Sequence, residues 1–382
     1  MKKVPQFVWA ILACLLCIIA TAVVCLLTAD KGKSSDKFLE ILKVIDSNYY
    51  KDVELEDMEH AGAAAMLETL GDPWSFYMTP EEYEEYKLST SNQYIGIGIT
   101  TEFSEKYGFL SVISVTPGSP ADQAHIKVGN MVAAVDNIDV SQFSPDQLNE
   151  LFRSYNDKEK EEDRYFTLHL LNTQGGKAEA KLKCELIYNE PVYYSIIEDT
   201  SIGYIRIINF EDSAASCLKA AIEELEGVKV SSIILDVRNN GGGKAAEVAD
   251  ALDYLLPKGD LFLLRDQNGK ETSYSSGNSA CKTPVVVIVN ENTACAAEVF
   301  ANVLQTNGGV KIIGKSTQCN GHSQVIVELS DGSAVSISRF EYLTPDKKTL
   351  DEIGGVVPDI PSYQIEDSEM DVQLEAAKDA AE

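Results

Sequence analysis

Residues able to do metal, redox or nucleophilic chemistry are few in this chain of 382 residues, which has eight cysteines and four histidines. Cys14, Cys17 and Cys25 fall in the first apolar stretch. Cys184, Cys217, Cys281, Cys295 and Cys319 are dispersed, with no C-x-x-C pair. Such a set is not a disulfide framework. His60, His125, His169 and His322 are far apart, with no H-E-x-x-H helix and no finger spacing, so no metal site is expected. There is no P-loop and no dinucleotide fingerprint, and no cofactor is expected. The chemistry left is that of a thiol. A cysteine has a reference pKa of about 8.5, and its thiolate is intrinsically nucleophilic. Cys295 stands at the start of an apolar helical segment, where the helix dipole favours an anion.

Charge narrows the partners. Lys+Arg number 32 and Asp+Glu 60, a net charge of −28. A nucleic-acid binder needs a basic face to displace counterions, so no nucleic acid is expected. Hydrophobic residues make up 45% and charged residues 24%, the balance of a folded protein. The length allows two or three domains, each with its own core.

The elements that must position these residues follow from periodicity. Lys2 and Lys3 precede an uncharged run from Phe7 to Thr28, 22 residues long. About 20 apolar residues cross the hydrocarbon core as a helix. The reading is a single uncleaved transmembrane anchor in the cell membrane. With Lys2 and Lys3 cytoplasmic, everything from Asp30 onward is extracytoplasmic. Residues 34–92 carry helical patterns, the second of them stopped at Gly71-Asp72-Pro73. Thr79-Pro80-Glu81-Glu82 reads as the N-cap and first turn of another helix. From Gln93 to about residue 187 short strands dominate. Between 188 and 365 two strand–loop–helix units carry continuous apolar strands, Ile233 to Val237 and Val285 to Val289, which indicates a parallel α/β core. A hairpin is expected around Asp331-Gly332. The acidic tail, 366–382, reads as a solvated helix.

An ordered set of motifs from about residue 36 to 375 resembles the carboxy-terminal processing peptidases, or tail-specific proteases. Asp72-Pro73-Trp74-Ser75-Phe76-Tyr77 looks like the family's D-P-x-S-x-Y, and Gly118-Ser119-Pro120-Ala121 like its G-S-P-A. Leu235-Asp236-Val237-Arg238-Asn239-Asn240-Gly241-Gly242-Gly243 is similar to L-D-L-R-x-N-x-G-G. Tyr342-Leu343-Thr344-Pro345 and Val357-Pro358-Asp359 match Y-x-T-P and P-D. The resemblance implies serine peptidases with a Ser–Lys dyad and an embedded PDZ domain. The fold class expected is therefore α/β and β multidomain: the transmembrane anchor and linker (1–33), a helical module (34–92), a PDZ-like domain (93–187), a peptidase-like α/β core (188–365) and the acidic tail (366–382). Gly96, Ile97 and Gly98 resemble the loop that receives a peptide carboxylate on backbone N–H groups, the peptide adding as a strand. His125 replaces a glycine of that module, and Asp136-Asn137 replaces Asn-Gly.

The dyad positions depart from the family. Cys295 takes the position of the nucleophilic serine in Asn290 to Val299. Asn320, 25 residues on, takes that of the lysine base, and the family glutamine is kept as Gln324. Gly242 and Ala296 would supply the oxyanion-hole N–H groups. Asparagine cannot accept a proton usefully near neutral pH, so the Ser–Lys mechanism is lost, while a thiol needs less help. If residues 320–324 are extended, positions 320, 322 and 324 share a face, and His322 becomes a candidate base. Lys315 is closer to a surface position than to the base. Cys319 replaces a glycine beside Asn320, and a Cys295–Cys319 disulfide would lock the site under oxidising conditions. Two readings stay open: a peptidase with Cys295 as nucleophile, and a pseudopeptidase that binds protein tails or a partner protease. The partners expected are polypeptide C-termini or protein substrates, the membrane through the N-terminal helix, and a second copy of the chain.

Overall fold

The computed structural model describes residues 33–172, 174–277, 281–363 and 370–382. They divide into two compact units, one ending at Tyr77 and the other running from Met78 to Glu382. In the first, helices Lys33–Asn48 and Leu55–Glu68 precede a turn built on Asp72. Its carboxylate accepts from the Trp74 N–H at 3.0 Å and the Ser75 hydroxyl at 2.5 Å.

The expectation of a single-pass membrane protein is corrected here. No helix among the described residues is long and apolar enough to cross a membrane. The run Phe7 to Thr28, on which the anchor and the extracytoplasmic placement rested, lies outside the described residues. The described residues form a multidomain α/β protein.

The second unit begins with helix Pro80–Thr90. Thr79 caps it, and Glu82 reaches back to the Thr79 N–H at 2.8 Å. A β module with its own core follows. Its strands run in the order Ile99–Ser104, Phe109–Val115, Met131–Val135, Phe166–Leu171 and Lys177–Leu182, all antiparallel. Helix Pro145–Asn156, capped by Ser144, closes the module by burying Leu148 and Phe152. His125 (φ 59°) and Asp136 (φ 51°) both adopt the left-handed conformation that glycine normally fills. Asp136 is held there by the Tyr155 hydroxyl and the Thr167 N–H, each at 2.7 Å.

The α/β core is a six-stranded sheet: Val192–Ile196, Ile202–Ile207, Ser232–Asp236, Val285–Val289, Lys311–Gly314 and Ile360–Pro361. The first pair is antiparallel and every later pair parallel. Strand alternation sorts the apolar residues onto two faces. Ile233, Leu235, Val287 and Val289 pack with helices Ala214–Gly227, Ala245–Leu255 and Ala296–Gly308. Ile234, Val286, Ile288 and Ile313 pack on the opposite face with Ala377 of the last helix, Val372–Ala381. The acidic tail is thus not a solvated helix. The apolar stripe of helix Val372–Ala381 completes the core, Glu375 and Asp379 face outward, and Asp371 turns to Arg238.

The expected hairpin is present. His322–Glu328 pairs antiparallel with Ala334–Leu343, which continues into Gly259–Asp266 and then Glu271–Ser276.

Candidate active site

Three neighbouring parallel strands end at one edge of the sheet, and each is followed by a loop carrying a residue of interest. Ser232–Asp236 leads to Gly242, Val285–Val289 to Cys295, and Lys311–Gly314 to Asn320. The crevice beyond the carboxyl ends of parallel strands is where such sheets place ligands. The loops are tied together. The Thr293 hydroxyl donates to the Val237 carbonyl at 2.8 Å, the Ala294 N–H to the Asn240 carbonyl at 3.0 Å, and the Gln318 N–H to the Thr293 carbonyl at 3.0 Å.

Cys295 immediately precedes helix Ala296–Gly308, with φ 53° and ψ −123°. This is strained backbone for a residue with a side chain, and such strain collects at functional turns. Glu298 holds the turn in place. It is fully buried, and its carboxylate accepts from the N–H groups of Cys295 (2.9 Å), Asn320 (2.7 Å) and Cys319 (2.7 Å), and from the Thr317 hydroxyl (2.5 Å). One side chain therefore joins the nucleophile-position turn to the loop that would have carried the base. Burial pushes the Glu298 carboxyl up against these four hydrogen bonds. Its spacing, three residues after a cap position, is the sequence signal for this reach-back.

The Cys295 thiol is 6% exposed and donates to the main-chain carbonyl of His322 at 3.2 Å. The His322 imidazole makes no hydrogen bond among the described residues. Gln324 donates to the same carbonyl at 3.2 Å and to the Ser338 hydroxyl at 3.1 Å. Asn320 is 5% exposed. Its Oδ1 accepts from the His322 N–H at 3.3 Å, and its Nδ2 has no hydrogen-bond partner among the described residues. Gly242 (φ 104°) lies so close that a Cβ on it would sit 2.9 Å from the Ala296 nitrogen and 3.0 Å from the Cys295 Cβ. Its N–H donates to the Asn240 Oδ1 at 2.9 Å. Cys319 (φ 66°) turns its sulfur toward the Leu350 carbonyl and Asp351, both at 3.5 Å, and both thiols are free. Lys315 is ion-paired with Glu291 at 3.1 Å on the surface.

The electrostatics oppose ionisation of the thiol. Burial is the largest cause pushing the Cys295 pKa up to about 12. The Ala296 N–H lowers it, the Glu298 charge raises it, the Tyr342 hydroxyl lowers it and Glu211 raises it. Tyr342 and Glu211 are site residues that the sequence did not reveal. Tyr342 arrives from the antiparallel sheet, 1% exposed, with a buried hydroxyl that makes no hydrogen bond of good geometry among the described residues. Burial likewise pushes Glu211 up to about 7, Lys244 pulling it down and Asp212 and Glu247 adding to the rise. The Lys244 ammonium lies 3.9 Å from Glu211 and pairs with Asp212.

At pH 8 a thiol of this kind is about one part in ten thousand thiolate. Iodoacetamide is expected to modify Cys295 about a thousandfold more slowly than a cysteine in a short peptide, and tenfold faster for each unit of pH. Mass spectrometry of the digested, alkylated protein checks this. Cys295 labelling at the peptide rate would refute it.

In the β module, Gly98 (φ 84°) leaves no room for a side chain, since a Cβ would meet the Ser119 Cβ and Oγ at 2.2 Å. The carbonyls of Ile97 and Gly98 accept from the N–H groups of Ala121 and Thr116, both at 2.9 Å. The N–H groups of Ile97 and Gly98 have no acceptor among the described residues. Gly96 ends strand Gln93–Gly96, paired with Glu185–Tyr188. Ile99–Ser104 is an edge strand beside helix Pro145–Asn156.

Comparison with known proteins agrees with this architecture. Residues 201–362 match the peptidase family S41, 85–159 the PDZ domain, and 26–82 the N-terminal domain of the activating protease CtpB. The chain is 30% identical over 342 residues to the carboxy-terminal processing protease CtpA of Bacillus subtilis, covering 88% of this chain and 72% of that one. It is 30% identical over 328 residues to the chloroplastic carboxyl-terminal-processing peptidase 3 of Arabidopsis thaliana, and covers 62% of its length. Among solved structures, an S41 protease of Bacteroides fragilis shares the fold, with a TM-score of 0.56 at 16% identity over 87% of this chain and 91% of that one. The chain belongs to the carboxy-terminal processing proteases, the S41 peptidases that carry an embedded PDZ domain.

Proposed function

We propose that this protein binds polypeptide C-termini through its PDZ module and presents them to a peptidase centre that does not cut them. One observation carries the reading: the Cys295 thiol donates its hydrogen to a main-chain carbonyl. A carbonyl oxygen stabilises the protonated thiol and cannot take its proton, and Asn320 cannot take it either. The Gly242 N–H is engaged with Asn240, so that arm of an oxyanion hole is spent within the protein. The binding half rests on different features. The N–H groups of Ile97 and Gly98 are unspent, and the adjacent edge strand suits an added peptide strand.

The second reading is a cysteine peptidase with His322 as base. It requires the imidazole at the sulfur, where the His322 carbonyl stands instead.

A peptide ending in an apolar residue is expected to bind at least about tenfold more tightly with a free carboxylate than with a C-terminal amide. Isothermal titration measures both. Equal binding removes the tail-binding half. Cleavage of an unfolded, reduced protein substrate that disappears in Cys295→Ala removes the other half.

A further inference from the structure

The six-stranded sheet has two unlike edges. One, Ile360–Pro361, is two residues long and ends in a proline, so it offers little to an incoming strand. The other, Val192–Ile196, contains no charged residue, and its register against Ile202–Ile207 runs without a bulge. The direction of its main-chain groups follows from its two ends. The Ile208 N–H donates to the Pro191 carbonyl at 2.8 Å, and the Ile197 N–H to the Ile202 carbonyl at 3.0 Å. Antiparallel alternation between these bonds turns the main-chain groups of residues 193 and 195 toward the neighbouring strand, and those of Val192, Tyr194 and Ile196 outward. Nothing among the described residues hydrogen-bonds to the outward groups. Tyr193, Tyr194 and Ile196 are 52%, 51% and 49% exposed, so no segment covers this edge. Natural sheets blunt an open edge with lysine, proline, a bulge or a covering element, and residues 192–196 use none of these.

We infer that this edge receives an extended segment of a partner protein as a seventh strand, antiparallel, apolar at alternate positions and basic at both flanks. Side chains opposite Val192, Tyr194 and Ile196 would share a face with the exposed Tyr194 and Ile196, which selects apolar residues there. Charge selects the flanks. Glu190 and Glu198 bracket the strand, and both are exposed. Burial first, and the Glu190 charge second, raise the Tyr193 phenol, so the field of that acid reaches the strand.

The same charges argue against a second copy of this chain. In the antiparallel register that pairs all three outward residues, Val192 would face Ile196 and Tyr194 would face itself. Glu190 would then stand opposite Glu198 twice over, and like charges directly opposite are destabilising. Each copy also carries a net charge of −28. A strand with Lys or Arg at those two positions makes both contacts attractive. Main-chain bonds would supply affinity, and the alternate side chains specificity.

The test uses the full chain and the blocked peptide acetyl-Lys-Thr-Val-Thr-Val-Thr-Val-Thr-Lys-amide. Antiparallel pairing sets its valines opposite Val192, Tyr194 and Ile196, and its lysines opposite Glu190 and Glu198. The peptide has no carboxylate for the PDZ loop, so its failure leaves the tail-binding reading untouched. Hydrogen exchange followed by amide NMR is expected to slow at least about tenfold at Val192, Tyr194 and Ile196 when the peptide saturates. Tyr193 and Ser195, already bonded to the neighbouring strand, should not change. Replacing both lysines of the peptide by glutamates is expected to weaken binding at least about tenfold at low salt, a gap that narrows as salt rises. Glu190→Lys combined with Glu198→Lys should reverse the preference between the two peptides, and thermal melts establish that this variant folds. No slowing at the three amides of the wild type overturns the inference, as does equal affinity for both peptides. Slowing at Ile99–Ser104 instead would assign the peptide to the PDZ edge. A dimer of the chain alone that slows the same three amides would make the occupant a second copy. Either result overturns it as well.

Discussion

Cys295→Ser combined with Asn320→Lys is expected to cleave an unfolded protein substrate, whereas the wild-type chain and the Cys295→Ser single variant leave it intact. A positioned general base contributes about 10²–10⁴ in rate, and that is the contrast expected between the double variant and Cys295→Ser alone. The scaffold for it is in place. The turn at position 295 keeps its strained φ and ψ, and Glu298 fixes the main chain of residues 295 and 320 on one carboxylate oxygen. Asn320 sits in a nearly water-free position, which lowers the pKa of a lysine placed there and keeps part of it neutral. The longer side chain adds volume at a buried site, at a cost of about 1–3 kcal/mol in stability. The assay is therefore run well below the melting temperature of the variant. Initial rates with reduced, unfolded casein measure the contrast. A double variant as inert as the single one, while still folded, would mean that the scaffold and not the dyad is disabled. Wild-type cleavage at the double variant's rate would end the proposal.

The sequence made the layout of the site legible because the motifs lie at strand ends. Leu235 to Gly243, Asn290 to Val299 and Thr317 to Gly321 each follow an apolar strand, and parallel strands bring their following loops to one edge. Which atom faces the sulfur could not be read in this way. Alternation along 320–324 places residues 320, 322 and 324 on one face. It says nothing of the His322 carbonyl, which points along the hydrogen-bonding direction and meets the thiol. Tyr342 was visible as a motif residue, but its partner across the fold was not. Glu211 lies in a loop with no periodicity. Its nearness to the thiol comes from the close approach of Gly243, where a Cβ would meet the Glu211 nitrogen at 3.0 Å. The tail misled for a different reason. Seventeen residues rich in acids read as solvated, yet a helix with an apolar stripe needs only one dry face.

That last helix carries the second large effect. Arg238→Met is expected to destabilise the protein by about 3–5 kcal/mol, because removing one partner of a buried ion pair leaves an uncompensated charge. The Arg238 guanidinium bridges two carboxylates. It donates to the fully buried Asp236 at 2.6 Å, and to both oxygens of Asp371 at 2.8 Å each. Asp371 in turn caps the helix through the Leu374 N–H at 3.0 Å. Asp236 keeps Arg206 (2.9 Å) and the Tyr204 hydroxyl (2.7 Å) after the change, which places the loss toward the lower end. Asp371→Asn is expected to cost less, since Asp371 is partly exposed. Urea unfolding with an unchanged slope measures both. A loss under about 1 kcal/mol for Arg238→Met would show that the network holds nothing together.

The pH dependence has a definite sign. Burial pushes Asp236 up, but the hydrogen bond and charge of Arg238, with Arg206 and Tyr204, hold it below the usual carboxylate range. Asp371 is also held low, burial again opposing and Arg238 prevailing. Groups depressed in the folded state contribute stability that is present above their unfolded pKa, about 4, and is lost as pH falls through the folded value. Acid sensitivity in wild type should therefore be steeper below about pH 4 than in Arg238→Met.

The position of helix Val372–Ala381 also orders events on the ribosome. Ile234, Val286, Ile288 and Ile313 line a sheet face that the helix covers. All four emerge before it, so for several seconds of synthesis that face has no cover. Until the helix arrives, that apolar face stays open to water, and the cover is fastened when Asp371 reaches Arg238.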